Sequence, residues 1–190
     1  MGCRRGLKSG KILVCLALLV SAVVAHADSQ NQALGLVVGN GILGGYISDR
    51  SYIGLVYDHG WAPGWASRIP GKPSIYLESN LSAWHGCTGG DCGTVEDLGV
   101  TAVFRWEIGN IPGSWYEEAG IGGHLISHTR IGPQVYSTGF QFGELAGIGS
   151  LVGKDGRYDI GLRIAHESNA DYKLPNDGMT FLQLRLAMRW

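Results

Sequence analysis

Alternation of apolar and polar residues, two by two, most narrows what this chain can fold into. It is clearest at the C-terminus, where Leu182, Leu184, Leu186, Met188 and Trp190 are separated by Gln183, Arg185, Ala187 and Arg189. Successive side chains of a strand point to opposite faces, so each set occupies one side of a sheet. A second run places Tyr158, Ile160, Leu162 and Ile164 opposite Asp159, Gly161, Arg163, Ala165 and Glu167. Weaker runs are Ile53, Leu55 and Tyr57; Ile75, Leu77, Leu81 and Ala83; and Leu98, Val100, Ala102, Phe104 and Trp106. Segments 32–40, 115–126 and 137–150 are glycine-rich and fit strands of less definite parity. No later segment of helical length shows a clean 3.6-residue period. Glycine, 31 of 190 residues, would interrupt helices throughout. Eight strands of about 10 residues follow, long enough to cross an outer membrane when tilted. The breaks fall at 41–49, 61–72, 86–94, 107–114, 127–136, 153–156 and 169–179.

The first 27 residues do not belong to this pattern. Arg4, Arg5, Lys8 and Lys11 precede an apolar run from Ile12 to Val24, and Ala25-His26-Ala27 supplies a small-residue cleavage site before Asp28. That is the order of a secretory signal peptide, and the run falls short of the roughly 20 residues of a spanning helix. The expected division is a leader at 1–27 and a barrel domain at 28–190. The leader's charges are all basic, so a chain with net charge −1 becomes clearly acidic once it is removed. No basic footprint for nucleic acid remains. Two cysteines stay in the exported part, Cys87 and Cys92 in Cys-Thr-Gly-Gly-Asp-Cys. In an oxidising compartment this close pair is expected to form a loop disulfide. A zinc site would need two more ligands, and only His85 is near.

The two strand faces differ in kind. One is apolar, with aromatic residues near its ends; the other carries Glu78, Arg105, Asp159, Arg163, Glu167, Arg185 and Arg189. A soluble barrel would turn the apolar face inward, whereas a membrane barrel turns it to lipid and keeps charge in the lumen. Charged residues are only 16% of the chain and the last strand ends on Trp190. Both favour an all-β, eight-stranded antiparallel transmembrane barrel of the bacterial outer membrane, closed so that every backbone group is paired. Eight strands leave a lumen filled by side chains. With both termini in the periplasm, Cys87 and Cys92 lie outside the cell, and the end of segment 157–168 reaches the outer leaflet.

Parity carried one step further exposes an anomaly. After Tyr158, Ile160, Leu162 and Ile164, the next positions on the lipid face are His166 and Ser168. Polar groups there are costly without a use, unless they sit beyond the hydrocarbon at the interface. Residues two apart on a strand share a face at about 6.5 Å between Cα atoms. An imidazole there can take the proton of a serine that attacks an ester.

The stretch His166-Glu167-Ser168-Asn169-Ala170, with Lys173 and Pro175-Asn176-Asp177-Gly178, resembles the PagL family of outer-membrane lipid A 3-O-deacylases. The likeness is strongest over 157–190 and extends more loosely to Glu118-Ala119-Gly120-Ile121-Gly122 and Thr129-Arg130. It implies an eight-stranded barrel that removes the 3-position acyl chain of lipid A with a Ser-His-Glu triad and no cofactor. Its substrate is lipid A of lipopolysaccharide, reached from outer-membrane lipid. Carried over, Ser168 is the nucleophile, His166 the base, and Asn169 and Asn176 oxyanion-hole residues. One position departs: Thr180 stands where the family's glutamate is expected, on the face of Leu182 beside His166. Three readings stay open. Thr180 orients His166 without a charge, an acid of the following loop such as Asp177 or Asp171 substitutes, or the chain is a weakly active or inactive relative. The competing function is a non-catalytic barrel serving as adhesin, anchor or surface-binding protein. His59, His85, His124 and His128 read as ordinary polar residues, Glu144 as lumenal or lipid-facing, and no metal spacing is apparent.

Overall fold

The computed structural model of the chain describes residues 32–43, 48–88, 90–108 and 115–190. The expected leader at 1–27 lies outside the described residues. Eight antiparallel strands close into a barrel: β1 (Gln32–Leu43), β2 (Ser48–Gly60), β3 (Ser74–Thr88), β4 (Asp91–Ile108), β5 (Trp115–Ile126), β8 (Phe140–Val152), β9 (Tyr158–Ser168) and β10 (Met179–Arg189). Two short strands, β6 (Arg130–Ile131) and β7 (Gln134–Val135), form a ladder of their own in the connection before β8. Each barrel strand pairs with its neighbours along the chain, and β1 closes the ring against β10. Closure removes the unpaired edge that an open sheet would present to lipid.

The faces sort as the alternation requires. Leu34, Leu36, Ile53, Leu55, Leu81, Val100, Ile121, Ile148, Ile160, Leu162, Ile164, Leu182, Leu184 and Leu186 are exposed on the outside. Near the end that holds the C-terminus, Trp61, Trp65, Phe104 and Trp106 form a chain of ring contacts with centroids 5.7, 6.3 and 6.4 Å apart. A band of this kind suits the headgroup level of a bilayer. Apolar outside, charged within and without an edge, the fold is an outer-membrane barrel.

Inside, Arg105, Arg163 and Arg185 meet Asp58, Glu78, Glu118 and Asp159. Arg163 Nη1 lies 2.8 Å from Glu78 and its Nε 2.5 Å from Glu118. Arg105 pairs with Glu118 at 2.8 Å and Asp159 at 2.9 Å, while Arg185 pairs with Glu78 at 2.7 Å and also with Asp58. The Tyr76 hydroxyl accepts from Arg105 and Arg163 and donates to Glu118. Arg189, expected in the lumen with these, is half-exposed at the rim instead.

Three expectations need correction. The strands run from 11 to 18 residues, and the longer ones exceed what the span of a bilayer requires. The break expected at 86–94 is mostly strand, because β3 and β4 stay paired to Thr88 opposite Asp91, with the Cys87–Cys92 disulfide bridging facing positions. The lumen is not charged throughout. Its outer end is an apolar plug of Tyr52, Trp84, Val95, Ile126, Ile131, Tyr136, Met179 and Phe181. There the long β3–β4 hairpin and the β6–β7 ladder pack on each other as a water-soluble core does.

Part of the glycine excess has a spatial reason. A Cβ at Gly99 or Gly143 would fall 2.5 Å from the His124 ring, and one at Gly149 or Gly161 would overlap the Tyr116 hydroxyl. These glycines leave room for large lumenal side chains on adjoining strands.

Candidate active site

β9 carries the two residues singled out by parity to the outer end of the wall. In its register with β10, His166 faces Thr180, and in its register with β8, His166 faces Glu144 and Ser168 faces Phe142. His166 and Ser168 are half-exposed on the outer face, whereas Glu167 between them is buried in the lumen. His166 Nδ1 lies 2.9 Å from Thr180 Oγ1. With the proton on Nδ1 donated to that hydroxyl, Nε2 keeps the lone pair that a base requires. Ser168 Oγ accepts a long contact of 3.5 Å from the Ala170 N–H. Among the described residues it makes no hydrogen bond to His166; such bonds often tighten only when substrate is bound.

The loop 169–178 is fixed by the residues that make its sequence distinctive. Both hydrogens of the Asn169 amide are used, donated to the carbonyls of Tyr136 and Lys173 at 2.8 Å each. The Asn169 N–H donates to Asn176 Oδ1 at 3.1 Å, and Asn176 Nδ2 donates to Asp171 at 3.0 Å. Asp177 grips β7, accepting from the Val135 N–H at 2.6 Å while its own N–H donates to the Val135 carbonyl at 3.1 Å. Gly178 has φ +55°, and a Cβ there would stand 3.0 Å from His166 Cε1. The Pro-Asn-Asp-Gly run therefore braces the loop, ties it to the β6–β7 ladder and leaves space for the imidazole. Tyr136, beneath the loop, is buried, and burial pushes its phenol above the ordinary range.

These contacts decide among the sources of an acid. Asp177 is held to Val135 and Asp171 to Asn176, so neither reaches His166 in this structure. Asn169, expected as an oxyanion donor, has its side-chain hydrogens committed to the loop, and the backbone N–H of Ala170 is the donor aimed at Ser168. Glu144, of open parity in the sequence, lies outward and exposed.

Below the pair the outer wall forms an apolar groove of about 550 Å³, lined by Ala119, Ala146, Ile148, Leu162, Ile164 and Leu182. Ile164 and Leu182 are the next outward residues below His166 and Thr180, so the groove begins at the site.

Sequence reasoning missed one cluster. His124, read as an ordinary polar residue, is buried with its Nδ1 3.0 Å from Asp97 and 3.6 Å from Glu167. Its neighbours come from β4 and β9, which no linear spacing reveals. The atoms lie within 4.8 Å of one another, close enough to hold a metal ion. However, the same ring nitrogen faces both carboxylates, which is the geometry of a buried hydrogen-bonded cluster. A second group, His85 with Cys87 and Cys92, has both sulfurs in the disulfide.

A lipid-embedded barrel with a serine and a histidine side by side on its outer wall defines a class, that of membrane β-barrel hydrolases. Residues 51–189 match the PagL lipid A 3-O-deacylase family, and the chain belongs to that family. The lipid A deacylase PagL of Pseudomonas aeruginosa is 32% identical over 171 residues, covering 89% of this chain and 93% of its own. The enzyme of that name from Bordetella bronchiseptica is 35% identical over 114 residues, 60% of this chain and 61% of its own. The crystal structure of the outer membrane enzyme PagL superposes with a TM-score of 0.63 at 24% identity, covering 82% of this chain and 98% of that one. Neisserial surface protein A shares the fold with a TM-score of 0.55 at 8% identity, covering 84% of this chain and 97% of that one. The barrel alone therefore does not specify an enzyme.

Proposed function

We propose that the chain hydrolyses the ester-linked acyl chain at the 3 position of lipid A in the outer leaflet. The observation that carries this is the placement of His166 and Ser168 together on the lipid-facing side of β9, at its outer end. Ser168 Oγ adds to the ester carbonyl as its proton passes to His166 Nε2. The tetrahedral intermediate collapses with loss of the sugar oxygen, which takes that proton from the imidazolium. Water then hydrolyses the acyl-enzyme by the same exchange in reverse order, releasing a fatty acid. Thr180 holds the imidazole by a neutral hydrogen bond where the family uses a glutamate. The Ala170 N–H, backed by the Asn169–Asn176 brace, stabilises the developing oxyanion. The groove beside Ile164 and Leu182 accommodates the acyl chain along the barrel wall.

A non-catalytic barrel is the second reading, and the missing His166–Ser168 hydrogen bond and the neutral Thr180 favour it. One experiment separates them. The full chain is expressed in an outer membrane and its lipid A weighed by mass spectrometry. Loss of one acyl chain, abolished by Ser168→Ala in an equally abundant folded barrel, is the expected result. Unchanged lipid A with a folded barrel would reject the deacylase reading.

A further inference from the structure

We propose that Glu144 is the acidic positioning residue of His166, acting from the side of the imidazole opposite Thr180. This rests on the Ser/His hydrolase reading above. Two registers meet at His166: β10 places Thr180 beside it and β8 places Glu144 beside it. Directly opposed antiparallel residues have Cβ atoms about 4.5–5.5 Å apart. Parity puts both groups on the same side of the wall, since Phe142, Glu144, Ala146 and Ile148 are exposed while Gln141 is buried in the lumen.

The surroundings make Glu144 hard to explain otherwise. Its other cross-strand neighbour is Ile121, and Phe142 flanks it along β8. A carboxylate among such groups on a lipid face is costly. Among the described residues it makes no hydrogen bond or ion pair. The two neighbours then divide the work that one glutamate does elsewhere in the family. Thr180 fixes Nδ1 and so aims Nε2 at Ser168. Glu144 supplies the negative charge that steadies the imidazolium while it holds the serine proton. No proton passes to Glu144; the imidazolium gives its proton to the leaving oxygen. The low dielectric beside lipid strengthens the attraction. Other acids are engaged elsewhere: Asp171 with Asn176, Asp177 with Val135, and Glu167 inside the wall near His124.

The test uses the purified full chain, folded in detergent, acting on lipid A in mixed micelles. Glu144→Gln is expected to lower kcat on the order of 10- to 100-fold with KM nearly unchanged. Glu144→Asp should retain an intermediate rate. Adding Thr180→Glu to Glu144→Gln should restore most of the lost kcat. A residue that merely shaped the wall would not be replaced by an acid on the far side of the ring. Three outcomes overturn the proposal: an unchanged kcat in Glu144→Gln, a loss confined to KM, or no rescue in a double variant that folds. The controls keep the two ideas apart. An active wild type with a dead Ser168→Ala variant and a normal Glu144→Gln variant rejects Glu144 alone. An inactive folded wild type rejects the hydrolase reading and this inference with it.

Discussion

The charged inside of the barrel and the sparse polar site on its outside treat polar groups in opposite ways. In the lumen three arginines and four carboxylates are packed together, and Arg163 alone contacts Glu78, Glu118 and Tyr76. On the outer wall, among the described residues, His166 has a single side-chain hydrogen bond, to Thr180, and Ser168 a long one, from Ala170. Multiple short contacts fix side chains in one arrangement, whereas a nucleophile must remain free to change partners. On the proposed mechanism, rigidity and chemistry are carried on opposite faces of one wall, with β9 contributing Arg163 and Glu167 to one and His166 and Ser168 to the other.

The sharpest way to separate the two faces is Ser168→Ala. It should reduce deacylation at least about 10³-fold, as removal of a serine nucleophile does. Its unfolding midpoint in detergent should match the wild type, because Oγ holds nothing in the lumen. The reverse dissociation is expected of Arg163→Met. It leaves Glu78 and Glu118 short of a buried partner and should destabilise the barrel by about 3–5 kcal/mol. Activity per folded molecule should change far less, measured by titrating folded barrel against turnover. Gly178→Ala falls between the faces, since the new methyl meets His166 Cε1 at 3.0 Å on a positive-φ backbone. A displaced base should lower kcat on the order of 10- to 100-fold, and a retained rate would mean that the ring has room to shift. Smallest is Cys87→Ser with Cys92→Ser. Opening so short a loop should lower stability by at most about 2 kcal/mol and leave deacylation unchanged, since the disulfide joins β3 to β4 and neither strand carries a residue of the proposed mechanism.

The same contrast separates what the sequence makes legible from what it hides. Leu182 to Trp190 and Tyr158 to Ile164 declare their faces because period two is a local property. The pairing of Thr180 with His166 also follows from parity, since only one short loop separates their strands. Glu144 is different. The glycine-rich strand around it alternates small and apolar residues so weakly that its register with β9 becomes definite only in three dimensions. His124 is hidden for the same reason, lying in a run with Gly122 and Gly123 that gives no parity, although Asp97 and Glu167 surround its ring. The loop brace is hidden for another reason. Asn169 and Asp177 read as site residues by type, but their partners are backbone groups of Tyr136, Lys173 and Val135, which no side-chain pattern announces. The extension of β3 and β4 to the disulfide likewise depends on pairing between strands rather than on either strand alone.

Placing Ser168 on the outside of the wall also sets the dimension in which encounters occur. On the proposed mechanism, a substrate anchored in the leaflet reaches it by sliding sideways along the bilayer and need not be lifted into water. The concentration that governs its rate is then a mole fraction of the surface. Diluting the target lipid with inert lipid should slow the reaction, while adding buffer to the same membranes should not.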